Sequence, residues 1–208
     1  MHHIIFDMDG VLADSWKDGN ECLLKLHFFA DTMEGTIRKQ IEYALQVPDH
    51  ARGSGMTEDE FRTRVTRVHE FGVCLASRKV PLFDALIDEI RRIPETKVAV
   101  VSSNAGIFVQ KIAKEIGLPF THVLAFEDSG SKAEKIETIC NDWEIPVTQA
   151  RYITDTLGDV YELEAIMPRK HIFCCAWGYL GYDILRKDLP DEQILRQPTD
   201  IHRVLTTF

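Results

Sequence analysis

The feature that most limits the fold is an alternation of short strand-like runs and helical patterns that begins at Lys97. The run KVAVVSS is continuously apolar, which is typical of a strand covered on both faces, and further strands are predicted at THVLAF, ARYITD and HIFCCAW. Between them lie the helical patterns AGIFVQKIAKEIG, SKAEKIETICNDW and GDVYELEAIM. This rhythm predicts an α/β fold with a doubly wound, Rossmann-like parallel sheet, in which HIIFD near the N-terminus is a central strand.

The region between the first strand and the alternating region has a different sequence pattern. It has few β-branched runs, and its clearest helix is TEDEFRTRVTRVHEF, which Thr57 and Glu60 begin as a capping box. SWKDGNECLLKLHFF and MEGTIRKQIEYAL predict two further helices, and VPDHARGSGM a loop. The expected organisation is a core domain of residues 1–13 and 95–208, with a small α-helical cap lobe inserted at residues 14–94.

Charge and hydropathy exclude several classes of partner. The 33 acidic and 24 basic residues give a formal net charge of -9, and no long basic run is present, so nucleic-acid and anionic-membrane binding are not expected. No stretch approaches the roughly 18 apolar residues of a membrane helix. The N-terminus lacks the charged and apolar regions of an export signal, so the predicted location is cytoplasmic.

The five cysteines contain no C-x-x-C pair. Structural zinc and a disulfide framework are therefore not expected, and the compartment is predicted to be reducing. Cys174 and Cys175 lie inside a strand-like run and are interpreted as buried, inert thiols.

Polar residues follow the predicted strands or begin a helix beside them. They are Asp7, Asp9, Ser102, Ser103, Asn104, Lys132, Asp155 and Asp159. Because the carboxyl ends of parallel strands meet at one edge of the sheet, we expect these side chains at one site. Two simpler interpretations stay open: Asp9 with Gly10 as a tight turn, and the Ser102 hydroxyl bonded to local backbone.

Carboxylates gathered at one edge repel each other, and some would be protonated unless a cation were bound. Oxygen ligands without histidine or cysteine favour a hard cation, Mg²⁺ first. The candidate ligands are Asp7, Asp9, Asp155 and Asp159.

Lys132 occupies an unusual position for a lysine. Ser131 and Glu134 predict a helix start that places Lys132 in the first turn, where its charge opposes the helix dipole. A lysine at a helix N-terminus is explained if both bind one anion. Lys135, one turn further on, is interpreted as a solvated residue.

Four ordered segments resemble the motifs of the haloacid-dehalogenase superfamily: FDMDGVLADS, VAVVSSN, GSKAEKI and ITDTLGD. The helical insert after the first motif resembles that superfamily's cap, and the C-terminal tail is similar to that of phosphoglycolate-phosphatase-like members. Two positions depart from the pattern. Thr154 replaces the usual glycine before the fourth-motif aspartate, and Ala133 replaces a proline after the lysine.

The resemblance implies a role for each motif residue. Asp7 would be the nucleophile that forms an aspartyl-phosphate, and Asp9 the general acid and base. Ser102 and Lys132 would hold the phosphoryl oxygens, and Gly10 would turn backbone amides toward them. Ser103 and Asn104 are the further candidate phosphate-binding residues. The metal ligands would be Asp7, the Asp9 carbonyl and Asp155, with Asp159 at the metal's edge.

The resulting prediction is a Mg²⁺-dependent phosphatase that acts on a small phosphorylated metabolite. Asp9 favours phosphate chemistry over dehalogenation, because the dehalogenase branch has a non-acidic residue there. A phosphomutase, a nucleotidase and a non-catalytic phosphate-binding protein remain alternatives, and the sequence does not indicate an oligomeric state. The basic residues of the insert are interpreted mainly as solvated helix faces, with contact to a second anionic group as the alternative: Arg38, Lys39, Arg52, Arg62, Arg64, Arg67 and Arg78.

Overall fold

A six-stranded parallel sheet forms the centre of the computed structural model, which describes residues 1–48 and 57–205. The strand order is β3-β2-β1-β4-β5-β6. The strands are β1 (His2–Phe6), β2 (Thr96–Val101), β3 (His122–Leu124), β4 (Arg151–Thr154), β5 (Ile172–Cys175) and β6 (Ile194–Leu195). The predicted doubly wound α/β fold is confirmed, and β1 is a central strand, paired with β2 on one side and β4 on the other.

The apolar runs form strands because both faces of the sheet are covered. Successive side chains of β1 point to opposite faces: Ile4 and Phe6 join one apolar cluster, and Ile5 joins the other. Each cluster is completed by helices, so a strand with polar alternation would bury unpaired groups here. The continuous apolar runs in the sequence follow from this two-sided burial.

Three helices connect the strands: α5 (Gly106–Ile116), α6 (Lys132–Asp142) and α7 (Leu157–Leu163). Helix α5 ends at Gly117, whose φ of +66° lies in the left-handed region that glycine adopts without steric cost. Helix α6 begins at Lys132 with Ser131 as its N-cap, as predicted. The C-terminal elements β6, α8 (Gly181–Leu185) and α9 (Ile201–Val204) are too short to leave a clear periodicity in the sequence.

The inserted region is helical, with α1 (Trp16–Lys25), α2 (Met33–Ala44), α3 (Glu58–Ala76) and α4 (Asp84–Arg92). The capping box of Thr57 and Glu60 is present at the start of α3. Most of the predicted VPDHARGSGM loop lies outside the described residues. Leu86 and Ile90 of α4 are buried in the same cluster as β1 and β2, so the domain limits at 14 and 94 stay predictions.

The cysteines correct one expectation. Cys22 of α1 and Cys74 of α3 form a disulfide, with their Cα atoms 5.9 Å apart, although no disulfide framework was expected. Cysteine spacing in the sequence gave no signal, because the partners are 52 residues apart and meet only when α1 packs against α3. Cys174 and Cys175 are buried free thiols, as predicted. Over residues 1–48 and 57–205, no helix has the length and apolar character to cross a membrane.

We expect reduction of the Cys22–Cys74 bond to lower the free energy of unfolding by about 2–4 kcal/mol, because the bond closes a long loop in the unfolded chain. Thermal melts with and without a phosphine reductant should differ by about 4–16 °C for a chain of this size. The double variant Cys22→Ala/Cys74→Ala is the control, and its melting temperature should be the same with and without the reductant. A wild-type melting temperature that also ignores it would contradict the prediction.

Candidate active site

The predicted polar residues converge at the carboxyl edge of the sheet. Asp7 directly follows β1, Ser102 follows β2 and Asp155 follows β4, and these three strands are neighbours. One cavity at this edge is bordered by Asp7, Asp9, Ser103, Asn104, Lys132, Asp155 and Asp159. Ser102 and Gly10 are not among the described residues that border it.

Lys132 lies between two carboxylates. Its Nζ donates to Asp7 Oδ2 at 2.7 Å and to Asp159 Oδ2 at 2.6 Å, and all three side chains are buried. Burial alone would lower the pKa of Lys132, but the negative charges of Asp159 and Asp7 outweigh it and raise that pKa well above its ordinary value. Lys132 is therefore a fixed positive charge at the cavity wall.

Asp7 is a buried carboxylate with other negative charges close to it. Burial raises its pKa to about 7, with Asp159 and Asp9 adding to the rise and Lys132 opposing it. Its Oδ1 accepts a hydrogen bond from the Met8 backbone N–H at 2.8 Å, and its Oδ2 accepts from Lys132. These two bonds fix the orientation of the carboxylate.

Asp9 accepts hydrogen bonds from two side chains, one of which contacts a third. Ser15 donates to its Oδ1 at 2.6 Å and Asn104 donates to its Oδ2 at 3.3 Å. The Ser15 hydroxyl is in turn 2.6 Å from the Tyr179 hydroxyl. Burial raises the pKa of Asp9, and the hydrogen bonds from Ser15 and Asn104 work in the opposite direction.

Ser15 and Tyr179 were missed as candidate site residues. Ser15 closes the motif FDMDGVLADS, so its position beside Asp9 had a signal in the sequence. Tyr179 had none, because it is 164 residues from Ser15 and reaches it only through the fold.

Asp155 has one free oxygen atom. Its Oδ2 accepts a hydrogen bond from the Tyr179 backbone N–H at 2.7 Å, whereas its Oδ1 is buried and has no hydrogen-bond partner in the described structure. Burial and the charge of Asp7 raise the pKa of Asp155 well above its ordinary value. An unpaired buried carboxylate oxygen is costly unless a cation or a proton satisfies it.

Two glycines lie against Asp155. A Cβ atom built on Gly10 would be 1.9 Å from Asp155 Oδ2, and one on Gly178 would be 2.2 Å from Asp155 Cβ. Gly10 also has a φ of +73°. Its backbone N–H donates to the Ala13 carbonyl at 2.9 Å, so the observed contact of Gly10 is with Asp155 and not with the cavity.

The carboxylates are not arranged as a closed metal cage. Within the described ranges, no group of three or more His, Cys, Asp or Glu side chains is placed to hold a metal ion. Asp159 is already engaged, because its Oδ2 accepts from Lys132, Thr154 and Tyr152. Each oxygen of Asp7 accepts one hydrogen bond, whereas Oδ1 of Asp155 accepts none. This unpaired oxygen with an oxygen of Asp7 fits Mg²⁺, which commonly takes one or two carboxylates and keeps several waters.

Thr154, the departure from the family pattern, has a defined contact. Its hydroxyl donates to Asp159 Oδ2 at 2.5 Å, and the whole side chain is buried. The Tyr152 hydroxyl donates to the same oxygen at 3.1 Å. Thr154 therefore orients Asp159 toward Lys132.

Ser102 and Lys135 both make hydrogen bonds with the backbone just after β2. The Ser102 hydroxyl accepts a hydrogen bond from the Asn104 backbone N–H at 3.0 Å, as in the simpler interpretation of this residue. Lys135 was expected to be solvated, and this was wrong: it is 1% exposed. Its Nζ donates to the carbonyls of Ser102 and Ala125 at 2.7 and 3.1 Å, so it joins the ends of β2 and β3.

Comparisons with known proteins identify the family of this chain. The model of the haloacid dehalogenase-like hydrolase family matches residues 4–162. The chain belongs to this family. A search of curated proteins finds no match.

Several solved structures share the fold of this hydrolase over almost its whole length. A predicted phosphatase from Clostridium acetobutylicum superposes with a TM-score of 0.72 at 16% identity, over 100% of this chain and 99% of that one. A predicted phosphoglycolate phosphatase from Haemophilus somnus gives 0.64 at 17%, over 99% and 98%. CbbY from Rhodobacter sphaeroides, solved in complex with phosphate, gives 0.61 at 14%, over 97% and 96%.

We expect Thr154→Val to lower the free energy of unfolding by about 1–3 kcal/mol, because the Asp159 carboxylate loses a buried donor while the side-chain volume is kept. Chemical denaturation followed by circular dichroism measures the change. Thr138→Val is the matched control: Thr138 is exposed on α6 and bonds only the Glu134 carbonyl, so its effect should stay within about 0.5 kcal/mol. Equal stabilities of the two variants would refute the role of Thr154.

Proposed function

We propose that this hydrolase cleaves a small-molecule phosphomonoester through an aspartyl-phosphate on Asp7. The observation that carries the proposal is the position of Lys132, whose ammonium group contacts Asp7 at the wall of a cavity that Asp9 and Asp155 also border. Phosphoryl transfer needs mainly positioning and stabilisation of negative charge, and a buried lysine beside a fixed carboxylate supplies both.

Each step can be assigned to a residue of this chain. In the first, an Asp7 carboxylate oxygen forms a bond to phosphorus while the ester P–O bond breaks, and Asp9 donates its proton to the departing alcohol oxygen. In the second, Asp9 takes a proton from a water molecule that attacks the phosphorus, which releases inorganic phosphate and restores Asp7. The raised pKa of Asp9 supports a proton donor in the first step.

The metal in this proposal is Mg²⁺, which Asp7, Asp155 and the Asp9 carbonyl would hold. When bound, Mg²⁺ neutralises charge on the phosphoryl oxygens and on the carboxylates around it. The support is the unpaired Oδ1 of Asp155, a buried acceptor that lacks a donor. Asp159 is proposed to act through Lys132 and not as a direct ligand.

The cytoplasmic location remains a prediction. Disulfides persist mainly in oxidising compartments, so the bond between Cys22 and Cys74 argues against a reducing one. Acid trapping of intact cells followed by alkylation and mass spectrometry would give the fraction of these two cysteines that is oxidised in place.

We expect Asp7→Asn to reduce turnover of phosphomonoesters by on the order of 10⁴-fold or more, because the amide cannot act as the nucleophile. A screen of phosphate esters with release of inorganic phosphate measures this. Asp88→Asn, an exposed aspartate paired with Arg91 on α4, is the control and should keep full activity. Activity that survives in the Asp7 variant, with the fold intact by circular dichroism, would exclude the covalent route.

A separate prediction concerns the metal. Removal of divalent ions with a chelator should abolish hydrolysis, and Mg²⁺ should restore it and raise the melting temperature, because it satisfies buried carboxylates in the folded state alone. Asp155→Asn should remove the Mg²⁺-dependent rise in melting temperature, since it replaces the oxygen that lacks a partner. Turnover that persists in the chelator would remove the metal from the proposal.

A further inference from the structure

The cavity above the carboxylates is closed on its far side by apolar and aromatic side chains. Leu23, Phe28, Phe29, Val68 and Phe71 of the insert border it, together with Phe126 of the core. The rings pack on one another: Phe28 and Phe29 meet edge to face with centroids 5.0 Å apart, and Phe28 and Phe71 are 6.2 Å apart. The cavity has a volume of about 130 Å³ and is partly open to solvent.

This wall selects the organic part of a substrate. Against these six apolar side chains, a sugar or polyol would lose the hydration of its hydroxyl groups without gaining hydrogen bonds, which costs binding energy. An aromatic group would gain both apolar burial and ring contacts.

Arg64 is the basic residue that the insert contributes to the cavity, which Gln40, Tyr43 and Gln46 of the insert also border. It lies on α3 and borders the cavity, although the insert's basic residues were interpreted as a solvated face. Its Nε is buried, and neither a hydrogen bond nor an ion pair joins the Arg64 side chain to any residue in the described ranges. Arg62 and Arg78, by contrast, are paired with Glu58 and Glu21, and Arg67 donates to backbone carbonyls.

Arg64 and Lys132 reach the cavity from different parts of the chain, Arg64 from α3 of the insert and Lys132 from the start of α6. Among the described residues that border the cavity, Lys132 and Arg64 are the lysine and arginine side chains. Lys132 is occupied by Asp7 and Asp159, whereas Arg64 has no anionic partner in the part of the chain that is described. A partly buried guanidinium without a partner is costly, and an anionic group on the ligand would remove that cost.

We propose that the substrate is the phosphate ester of a small aromatic alcohol that carries an anionic group, such as a carboxylate, at the end remote from phosphorus, and that Arg64 binds this group. The inference rests on the proposed phosphatase function. Arg64 is a specificity-determining residue in this proposal, and the ring contacts of the insert hold the part of the substrate between the two charges.

Three alkyl phosphates test the proposal: glycerol 3-phosphate, benzyl phosphate and 4-carboxybenzyl phosphate. All three release an aliphatic alcohol, so differences in kcat/KM report recognition more than leaving-group reactivity. We expect benzyl phosphate to be preferred over glycerol 3-phosphate, and the carboxylate to add a further 10- to 100-fold. A preference for glycerol 3-phosphate, or no gain from the carboxylate, would overturn the proposal.

Variants then assign the gain to one side chain. In Arg64→Met, which keeps the chain length, the kcat/KM ratio of 4-carboxybenzyl to benzyl phosphate should fall to about 1, and Arg64→Lys should restore part of it. Arg62→Met is the matched control on the same helix and should keep the wild-type ratio. A ratio that survives in folded Arg64→Met, as judged by its melting temperature, would refute the role of Arg64.

A binding measurement separates this inference from the proposed function. Calorimetry with the non-hydrolysable 4-carboxybenzylphosphonate and benzylphosphonate gives the affinity ratio without turnover. If no ester is hydrolysed and the carboxylate still improves binding at least tenfold in wild type alone, the phosphatase function fails and the recognition by Arg64 stands. If esters are hydrolysed and the affinity ratio is the same in wild type and Arg64→Met, the recognition fails and the phosphatase function stands.

Discussion

The rest of the site depends on the ion pairs that Lys132 makes with Asp7 and Asp159. Asp7 and Asp159 are buried carboxylates, and each accepts a hydrogen bond from the same ammonium group. Removing one member of a buried ion pair typically costs about 3–5 kcal/mol, because the remaining charge is left unpaired. Lys132 therefore stabilises carboxylates that are buried away from water. A negatively charged phosphoryl group bound in the cavity would contact the same ammonium group.

The parallel sheet is what brings these charges together. Because β1 lies between β2 and β4, the residues that follow these strands end at one edge although they are far apart in sequence. Asp155 is also closely packed. Gly10 and Gly178 approach it so closely that neither position has space for a Cβ atom, and the Tyr179 N–H donates to one carboxylate oxygen. The other oxygen, Oδ1, has no hydrogen-bond partner among the described residues, so it is the atom of this carboxylate that a cation could satisfy.

The insert determines a different property of the site. The core supplies the charged side chains, whereas α3 and the segment after α1 supply the aromatic wall and Arg64. The disulfide between Cys22 and Cys74 links α1 to α3, and these cysteines are close in sequence to Leu23 and Phe71. In the proposed function, recognition of the organic part of a ligand would therefore depend mainly on the insert, and the chemistry at phosphorus on the core.

The sequence by itself determined the fold class, the central place of β1, the start of α6 at Lys132 and the family, because hydrophobic period, helix caps and short motifs are local signals. Only the tertiary structure decided which residues share a contact. The disulfide, the burial of Lys135, the hydrogen bonds of Thr154 and Tyr179, and the position of Arg64 in the cavity wall all depend on neighbours distant in sequence or on the packing of one element against another. Helical spacing gives the same pattern for a basic residue that faces water and for one that faces a ligand cavity, so the distinction between Arg62 and Arg64 exists only in the folded chain.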